Sequence, residues 1–221
     1  MPNQSRLKIA VLVSGSGSNL QVMIDAMQNG SLPIEIVGVI SNREDAYAVV
    51  RAKTAGIHVS VLSHTTSGKR MSIATFEKHA LEQLNTWQPD LVVLAGFMRV
   101  LSAEFIHAVS CPMINLHPSL LPDYKGLDTH HRVLRAGEAY HGCSVHLVVP
   151  ELDAGQVLTQ AWLAICSDET AESLALRVQK LEHQLVPFTL ELIIKGVLNL
   201  AKIQAGQTEG FVPLPYRLWL D

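Results

Sequence analysis

The feature that most constrains the fold is a regular alternation of short apolar segments with helical patterns in the first half of the chain. Residues 7–14 form a β-branched apolar run that stops at a Gly/Ser turn, and residues 19–30 follow with apolar side chains at helical spacing. The apolar segments of this alternation have no polar face. Strands of that kind, separated by helices, predict a parallel sheet covered on both sides.

The same patterns predict further elements along the chain. In the first half they are strands at 34–40, 59–62 and 91–95, with helices at 44–55 and from 73 to 84. In the second half they are strands at 113–116, 144–149 and 156–165, with helices at 129–136, 170–185 and 188–203, the last two separated at Pro187. The second half is therefore expected to add antiparallel strands to the sheet.

Composition limits the classes of protein that this chain can be. A length of 221 residues with 48% hydrophobic and 17% charged residues fits one globular α/β domain. The formal net charge of -3 argues against nonspecific binding to nucleic acid or to anionic membranes. Three cysteines without a C-x-x-C spacing predict neither a disulfide framework nor a zinc cage. No apolar run approaches the length of a membrane span, so a cytoplasmic location is expected.

An amide and an imidazole stand two residues apart, at Asn115 and His117, directly after an apolar segment. In a strand, both side chains leave the same face. Asparagine can donate to a carbonyl oxygen that gains negative charge, and histidine can move a proton near neutral pH. The pair fits acyl transfer to a substrate amine, although an asparagine capping a turn beside a partly buried histidine gives the same spacing.

The first strand and helix are joined by Ser-Gly-Ser-Gly-Ser-Asn at residues 14–19. Two glycines let backbone amides point into one concavity at a helix N-terminus, which suits an anion. No lysine follows the second glycine, and Leu20 occupies the third-glycine position of a dinucleotide fingerprint. A terminal phosphate monoester therefore fits better than a pyrophosphate or a nucleoside triphosphate. A tight turn that needs glycine only for its geometry is the alternative.

Two other segments fit ligand contacts. Residues 95–102 follow an apolar strand and mix backbone polar groups with large apolar side chains, which suits a flat heteroaromatic ring. The alternative is a plain strand-to-helix connection that packs Phe97 and Met98 into the core. Asp153 lies in a turn between two predicted strands, where an isolated aspartate mainly favours the turn. Next to a histidine it would raise the histidine pKa and could relay protons through water.

Metal binding is not favoured by the histidine and cysteine spacings. In a strand, Cys143 and His146 point to opposite faces, so they do not chelate easily. The adjacent His130 and His131 diverge on a helix, which favours a solvated or ribose-contacting role.

Five segments, in this order, carry a family resemblance: SGSGSNLQ at 14–21, LAGFMRVLS at 94–102, INLHPSLLP at 114–122, HGCSVHLV at 141–148 and ELDAGQV at 151–157. Together they resemble the phosphoribosylglycinamide formyltransferases, a folate-dependent family of purine synthesis. The resemblance implies a doubly wound, mostly parallel α/β fold in one domain over residues 1–221. It also implies a phosphate-binding half at 1–100 and a folate-binding and catalytic half at 101–221.

The resemblance further implies the substrates and the site residues. Phosphoribosylglycinamide is the implied acceptor and 10-formyltetrahydrofolate the implied cosubstrate, with no metal and with a monomer or homodimer as the assembly. The implied catalytic trio is Asn115, His117 and Asp153. The positions implied to bind the acceptor phosphate and ribose are Gly15, Gly17, Ser18, Asn19, Gln179 and Glu182. Those implied to bind folate are Met98, Arg99, Val100, Leu101, Asn115, Val149, Pro150, Glu151, Leu152 and Asp153.

The sequence departs from the family pattern at two places. An arginine that can meet the glutamate tail of folate is often found three residues before the aromatic Phe76, but here that position is Ile73, with Lys69 and Arg70 about a turn earlier. The loop at 124–128 reads Tyr-Lys-Gly-Leu-Asp where proline and histidine are common.

Three other functions share parts of this pattern. Relatives with the same Asn, His and Asp arrangement hydrolyse formyltetrahydrofolate or formylate methionyl-tRNA. Such enzymes normally carry an extra domain, and the second also needs a basic surface, which the net charge of -3 does not favour. A noncatalytic folate-binding or nucleotide-binding module would need the phosphate loop but not the trio.

Overall fold

The computed structural model of the protein describes residues 6–63, 65–66, 69–206 and 216–219. The chain divides into two compact units, Met1–Ile114 and Asn115–Asp221. The first unit contains β1 (Leu7–Val13), α1 (Ser18–Gln28), β2 (Ile34–Ser41), α2 (Tyr47–Thr54), β3 (Val59–Val61), β4 (Thr65–Thr66), β5 (Lys69–Arg70), α3 (Ile73–Trp87), β6 (Leu91–Leu94) and α4 (Ala103–Ala108).

The sheet of the first unit is parallel. Its strands lie in the order β6-β1-β2-β3, and each neighbouring pair runs in the same direction. The β1 side chains from Ile9 to Val13 are completely buried, as expected for a central strand that is covered on both faces. Strands β4 and β5 form a separate antiparallel pair. The alternation in the sequence therefore predicted the first unit's sheet correctly.

The second unit contains the antiparallel part of the fold. Its elements are β7 (Met113–His117, which begins at the end of the first unit), α5 (Thr129–Ala136), β8 (Tyr140–Leu147), β9 (Val157–Ala164), α6 (Ala171–Ile194), α7 (Leu200–Gln204) and β10 (Tyr216–Trp219). The strand order is β10-β9-β8-β7. Strands β8 and β9 are antiparallel, whereas β9 and β10 are parallel. Helix α6 packs on β8 and β9.

The prediction of two helices separated at Pro187 is wrong, because α6 runs through Pro187. A proline inside a helix costs about 3 kcal/mol, but this helix buries Leu181, Leu185 and Leu190, and each buried leucine contributes about 1.5–3 kcal/mol. The helix ends instead before Gly196, whose φ is +70°. The Val197 N–H donates to the Leu192 carbonyl, which is the bond of a glycine-terminated helix end.

Two boundaries in the middle of the chain also differ from the predictions. Strand β8 begins at Tyr140 rather than at 144 and ends at Leu147, because residues 141–143 already pair with 161–163 of β9. Gly142 makes this possible, since a Cβ there would lie 2.0 Å from the Ala161 carbonyl oxygen. Helix α4 was not predicted; Ser102 caps it by accepting from the Phe105 N–H.

Candidate active site

Strand β7 places Asn115 and His117 beside one carboxylate, that of Asp153. The Asn115 amide nitrogen lies 3.4 Å from Asp153 Oδ1, and His117 Nδ1 lies 3.4 Å from Asp153 Oδ2. The side chains of His117 and Asp153 are only 6% and 8% exposed. The structure thus brings together the three residues that the sequence singled out from two separate segments.

The turn between β8 and β9 holds Asp153 in place. Its backbone adopts a left-handed conformation, with φ at +48°. Its Oδ2 accepts from the Gly126 N–H at 2.9 Å. Gly155 closes the same turn, because a Cβ there would lie 1.8 Å from the Leu147 carbonyl oxygen. The Gly126 N–H and the closed turn therefore hold the carboxylate in one orientation.

Hydrogen bonding fixes the neutral tautomer of His117. Its Nε2 lies 3.1 Å from the Tyr124 carbonyl oxygen; a carbonyl only accepts, so Nε2 carries the hydrogen. Nδ1 is then the atom that gains or loses a proton opposite Asp153. Burial lowers the pKa of His117 below its ordinary value, while the Tyr124 carbonyl and the Asp153 charge act in the opposite direction.

Asp153 stays ionised in this environment. Burial alone would raise its pKa, but the neighbouring His146, the Gly126 N–H and the His117 ring lower the pKa on balance. A neutral His117 therefore presents an unprotonated Nδ1 to a carboxylate. His117 Nδ1 can therefore accept a proton, and the negative charge of Asp153 stabilises the imidazolium that forms.

His146 is the member of this cluster that sequence reasoning missed, because it was considered only as a metal ligand. Its Nδ1 lies 2.8 Å from the Leu147 carbonyl oxygen and therefore carries the hydrogen. Its Nε2 can then accept from the Asn115 amide at 3.0 Å. This bond orients the amide. No spacing in the sequence marks this contact, because it joins two neighbouring strands, β7 and β8.

The loop at residues 14–19 follows β1 and joins a second loop that follows β6. The Ser14 N–H donates to the Gly96 carbonyl at 3.1 Å, and the Met98 N–H donates to Ser14 Oγ at 2.8 Å. Gly17, the residue before α1, has a φ of +69° and has no side-chain oxygen that could occupy the helix N-terminus. The geometry fits an anion site and also a tight turn, the two alternatives that the sequence left open.

The segment predicted to contact folate in the first unit is divided between surface and core. Met98 and Val100 are exposed, whereas Leu101 is buried. The Arg99 guanidinium lies 5.1 Å from the centre of the Phe76 ring. The alternative of a plain connection is therefore half right, since Phe97 packs on Phe76 but Met98 does not enter the core.

The other predicted binding residues lie in or near the second unit's loops and helix. Pro150, Glu151 and Leu152 are exposed, and Val149 is half-buried. Gln179 and Glu182 lie half-buried on α6. Burial raises the pKa of the Cys143 thiol on β8, and the charge of Glu182 raises it further. The Glu182 carboxylate therefore lies near β8. Ile73 begins α3, while the side chains of Lys69 and Arg70 lie outside the described residues.

In the part of the chain that the structure describes, the adjacent histidines considered as ligands have protein partners. Among the described residues, no group of three or more His, Cys, Asp or Glu side chains is arranged to hold a metal ion. His130 Nδ1 instead lies 3.0 Å from His141 Nε2, and His131 contacts Asp128. Within the described part of the chain, none of the helices has both the length and the apolar composition to span a lipid bilayer.

Comparison with known families decides the relationship that the site suggests. The sequence model described as formyl transferase matches residues 7–190, which include Asn115, His117 and Asp153. The chain belongs to the formyl transferase family. The resemblance carried by the five sequence segments is confirmed.

Formyl transferase relatives match this chain over most of its length. The phosphoribosylglycinamide formyltransferase of Escherichia coli strain K12 is 38% identical over 194 residues, 88% of this chain and 90% of that enzyme. The enzyme of the same name from Haemophilus influenzae is 39% identical, covering 87% of this chain and 90% of that one. The trifunctional purine biosynthetic protein adenosine-3 of Bos taurus is 40% identical over 89% of this chain, which spans only 19% of that longer protein.

Solved formyl transferase structures share the fold. The phosphoribosylglycinamide formyltransferase of Coxiella burnetii superposes with a TM-score of 0.80 at 47% identity, covering 86% of this chain and 88% of that one. The enzyme of the same name from Anaplasma phagocytophilum gives a TM-score of 0.83 at 32% identity, covering 98% and 100%. The prediction of a doubly wound, mostly parallel α/β fold with added antiparallel strands is confirmed.

Proposed function

We propose that this protein transfers the formyl group of 10-formyltetrahydrofolate to the amine of 5'-phosphoribosylglycinamide, a step of purine nucleotide synthesis. The observation that carries the proposal is the cluster of Asn115, His117 and Asp153, in which the Asp153 carboxylate lies 3.4 Å from each of the other two side chains. The relatives named phosphoribosylglycinamide formyltransferase, which this chain matches over 90% of their length, support the choice of acceptor. The substrates are small molecules, and we place the reaction in the cytoplasm with a monomer or homodimer as the enzyme.

The chemistry begins with attack of the acceptor amine on the formyl carbon. A C–N bond forms, the carbonyl oxygen becomes an oxyanion, and the bond from that carbon to N10 of the folate then breaks. Of the two Asn115 N–H groups, one donates to His146 at 3.0 Å and the other faces Asp153 at 3.4 Å. The contact with Asp153 is the longer one, so we assign that N–H as the donor to the oxyanion.

Proton movement belongs to His117 and Asp153. The amine loses a proton as it becomes an amide, and the folate nitrogen gains one as it leaves. Unprotonated His117 Nδ1 opposite an ionised Asp153 is an acceptor for that proton, and a protonated His117 also stabilises the oxyanion. Asp153 holds His117 in the required ionisation state and passes the proton through water toward the folate nitrogen.

The substrates are assigned to the residues that the family resemblance indicated. We assign the acceptor phosphate to Gly15, Gly17, Ser18 and Asn19 and its ribose to Gln179 and Glu182. Folate is assigned to residues 98–101, 149–153 and Asn115. The exposed apolar side chains of Met98, Val100 and Leu152 support this assignment, because a heteroaromatic ring needs apolar contacts.

Removal of the Asn115 amide tests the proposed function. Asn115→Ala should lower kcat for formyl transfer about a hundredfold or more, near 3 kcal/mol, as is found when an oxyanion donor is lost. Asn85→Ala, at an exposed position of α3, is the matched control and should keep full activity. No formylated product from the wild-type protein would overturn the function. Product at the wild-type rate from a folded Asn115→Ala variant would overturn the role of the amide alone.

A further inference from the structure

Helix α2 holds two carbonyl groups of the loop at residues 14–19. The Ala48 N–H donates to the Gly15 carbonyl at 3.1 Å, and Arg51 Nε donates to the Ser16 carbonyl at 2.9 Å. In a planar trans peptide, the C=O and the N–H point in opposite directions. The bonds to α2 therefore aim the N–H groups of Ser16 and Gly17 away from α2. They also hold two carbonyl oxygens, which would repel an anion, on the α2 side.

Three contacts hold the Arg51 side chain in this position. Besides the Ser16 carbonyl, its Nη1 donates to Gln21 Oε1 at 3.0 Å, and its guanidinium lies 4.9 Å from the centre of the Tyr47 ring. The Gln21 side-chain Nε2 in turn donates to Asp25 Oδ1 at 2.8 Å. A planar guanidinium can donate in two directions at once, whereas a lysine ammonium is a single point of charge on a flexible stem.

We propose that Arg51 is a positioning residue for the acceptor phosphate. Residues 14–19 contain no basic side chain, so Arg51 brings positive charge to the loop through direct contact with its backbone. It keeps the Ser16 carbonyl turned away from the phosphate and the adjacent N–H groups turned toward it. This inference rests on the proposed function of the loop, and it adds a residue on a different helix to that function.

Steady-state kinetics with two acceptors separate this role from a general structural one. Arg51→Met should raise KM for phosphoribosylglycinamide about tenfold, the effect of losing one hydrogen bond from a charged group. The kcat and the KM for 10-formyltetrahydrofolate should stay nearly unchanged. The kcat/KM for glycinamide riboside, which lacks the phosphate, should not change either. Lys53→Met removes one exposed positive charge from the same helix and should behave as the wild type.

Arg51→Lys keeps the charge but loses the two-directional donation, and it also serves if Arg51→Met does not fold. We expect a KM for phosphoribosylglycinamide between those of the wild type and Arg51→Met. Wild-type KM values in both variants overturn the inference. An equal loss with the phosphorylated and the unphosphorylated acceptor also overturns it, because a structural defect does not recognise the phosphate.

Calorimetric titration with phosphoribosylglycinamide separates this inference from the proposed function. If the wild type binds this compound without formylating it, and Arg51→Met binds it about tenfold more weakly, the positioning role stands and the proposed activity falls. If both proteins bind it equally, the positioning role falls whatever the activity.

Discussion

Asp153 carries a negative charge next to two imidazole rings, and its effect on His117 can be measured. The carboxylate favours a protonated His117 and so raises the pKa of that ring against the larger effect of burial. Asp153→Asn keeps the shape and removes the charge. The pKa of His117 should therefore fall further below its ordinary value, and turnover should fall about a hundredfold or more, the range for lost acid-base catalysis.

An NMR titration of the His117 ring and the pH profile of kcat/KM measure both effects. The acid limb of the profile should move to lower pH in Asp153→Asn, with both substrates still bound. Asp168→Asn, an exposed change in the second unit, should leave profile and turnover as in the wild type. Near wild-type turnover with an unshifted profile would reduce Asp153 to a turn residue.

At the residue scale, spacing predicted what lies on one strand but not what reaches it from another. The two-residue spacing of Asn115 and His117 predicted a shared face, and both contact Asp153. The role of His146 was not predicted, because its contact with Asn115 joins β8 to β7. Residue spacing within one strand carries no information about contacts with the neighbouring strand. The role of Asp153 came from family resemblance, since its local sequence indicates only a turn.

At the element scale, the turn between β1 and α1 depends on Gly17 more than on Gly15. Gly17 has a positive φ, and a Cβ there would lie 2.6 Å from the Ala48 Cβ. Gly15 has open space around the corresponding position. Gly17→Ala should therefore lower the free energy of unfolding by at least about 1–2 kcal/mol, whereas Gly15→Ala should be neutral or slightly stabilising.

Urea denaturation of the two variants gives the comparison directly. In the Gly17→Ala variant, the displaced loop should also raise KM for phosphoribosylglycinamide, with a smaller effect on KM for the folate. Equal unfolding free energies for Gly17→Ala and Gly15→Ala would show that the contact with α2 does not constrain the loop.

Helix ends were the elements least well predicted, for reasons that the structure makes plain. Pro187 is the strongest helix-breaking signal in the second unit, but tertiary burial of the leucines on α6 outweighs it. The true stop is Gly196, which the pattern of apolar residues passes over. Strand β8 begins at Tyr140, before the predicted start at 144, because Gly142 permits the close approach of β9.

At the scale of the whole molecule, the sequence alternation was sufficient for the parallel sheet of the first unit, because both faces of such strands are apolar. The antiparallel pairing of β8 and β9 was expected from the change of pattern after residue 116, but its register was not. The chain spans 90% of the Escherichia coli relative and 19% of the bovine trifunctional one.

The most direct test supplies 10-formyltetrahydrofolate labelled in the formyl group and offers phosphoribosylglycinamide, methionyl-tRNA or water as the acceptor in separate reactions. The account predicts label in the amide of the phosphorylated glycinamide, and neither formylmethionyl-tRNA nor free formate at a comparable rate. Rapid release of formate without an acceptor, or labelled methionyl-tRNA in place of the glycinamide product, would contradict it.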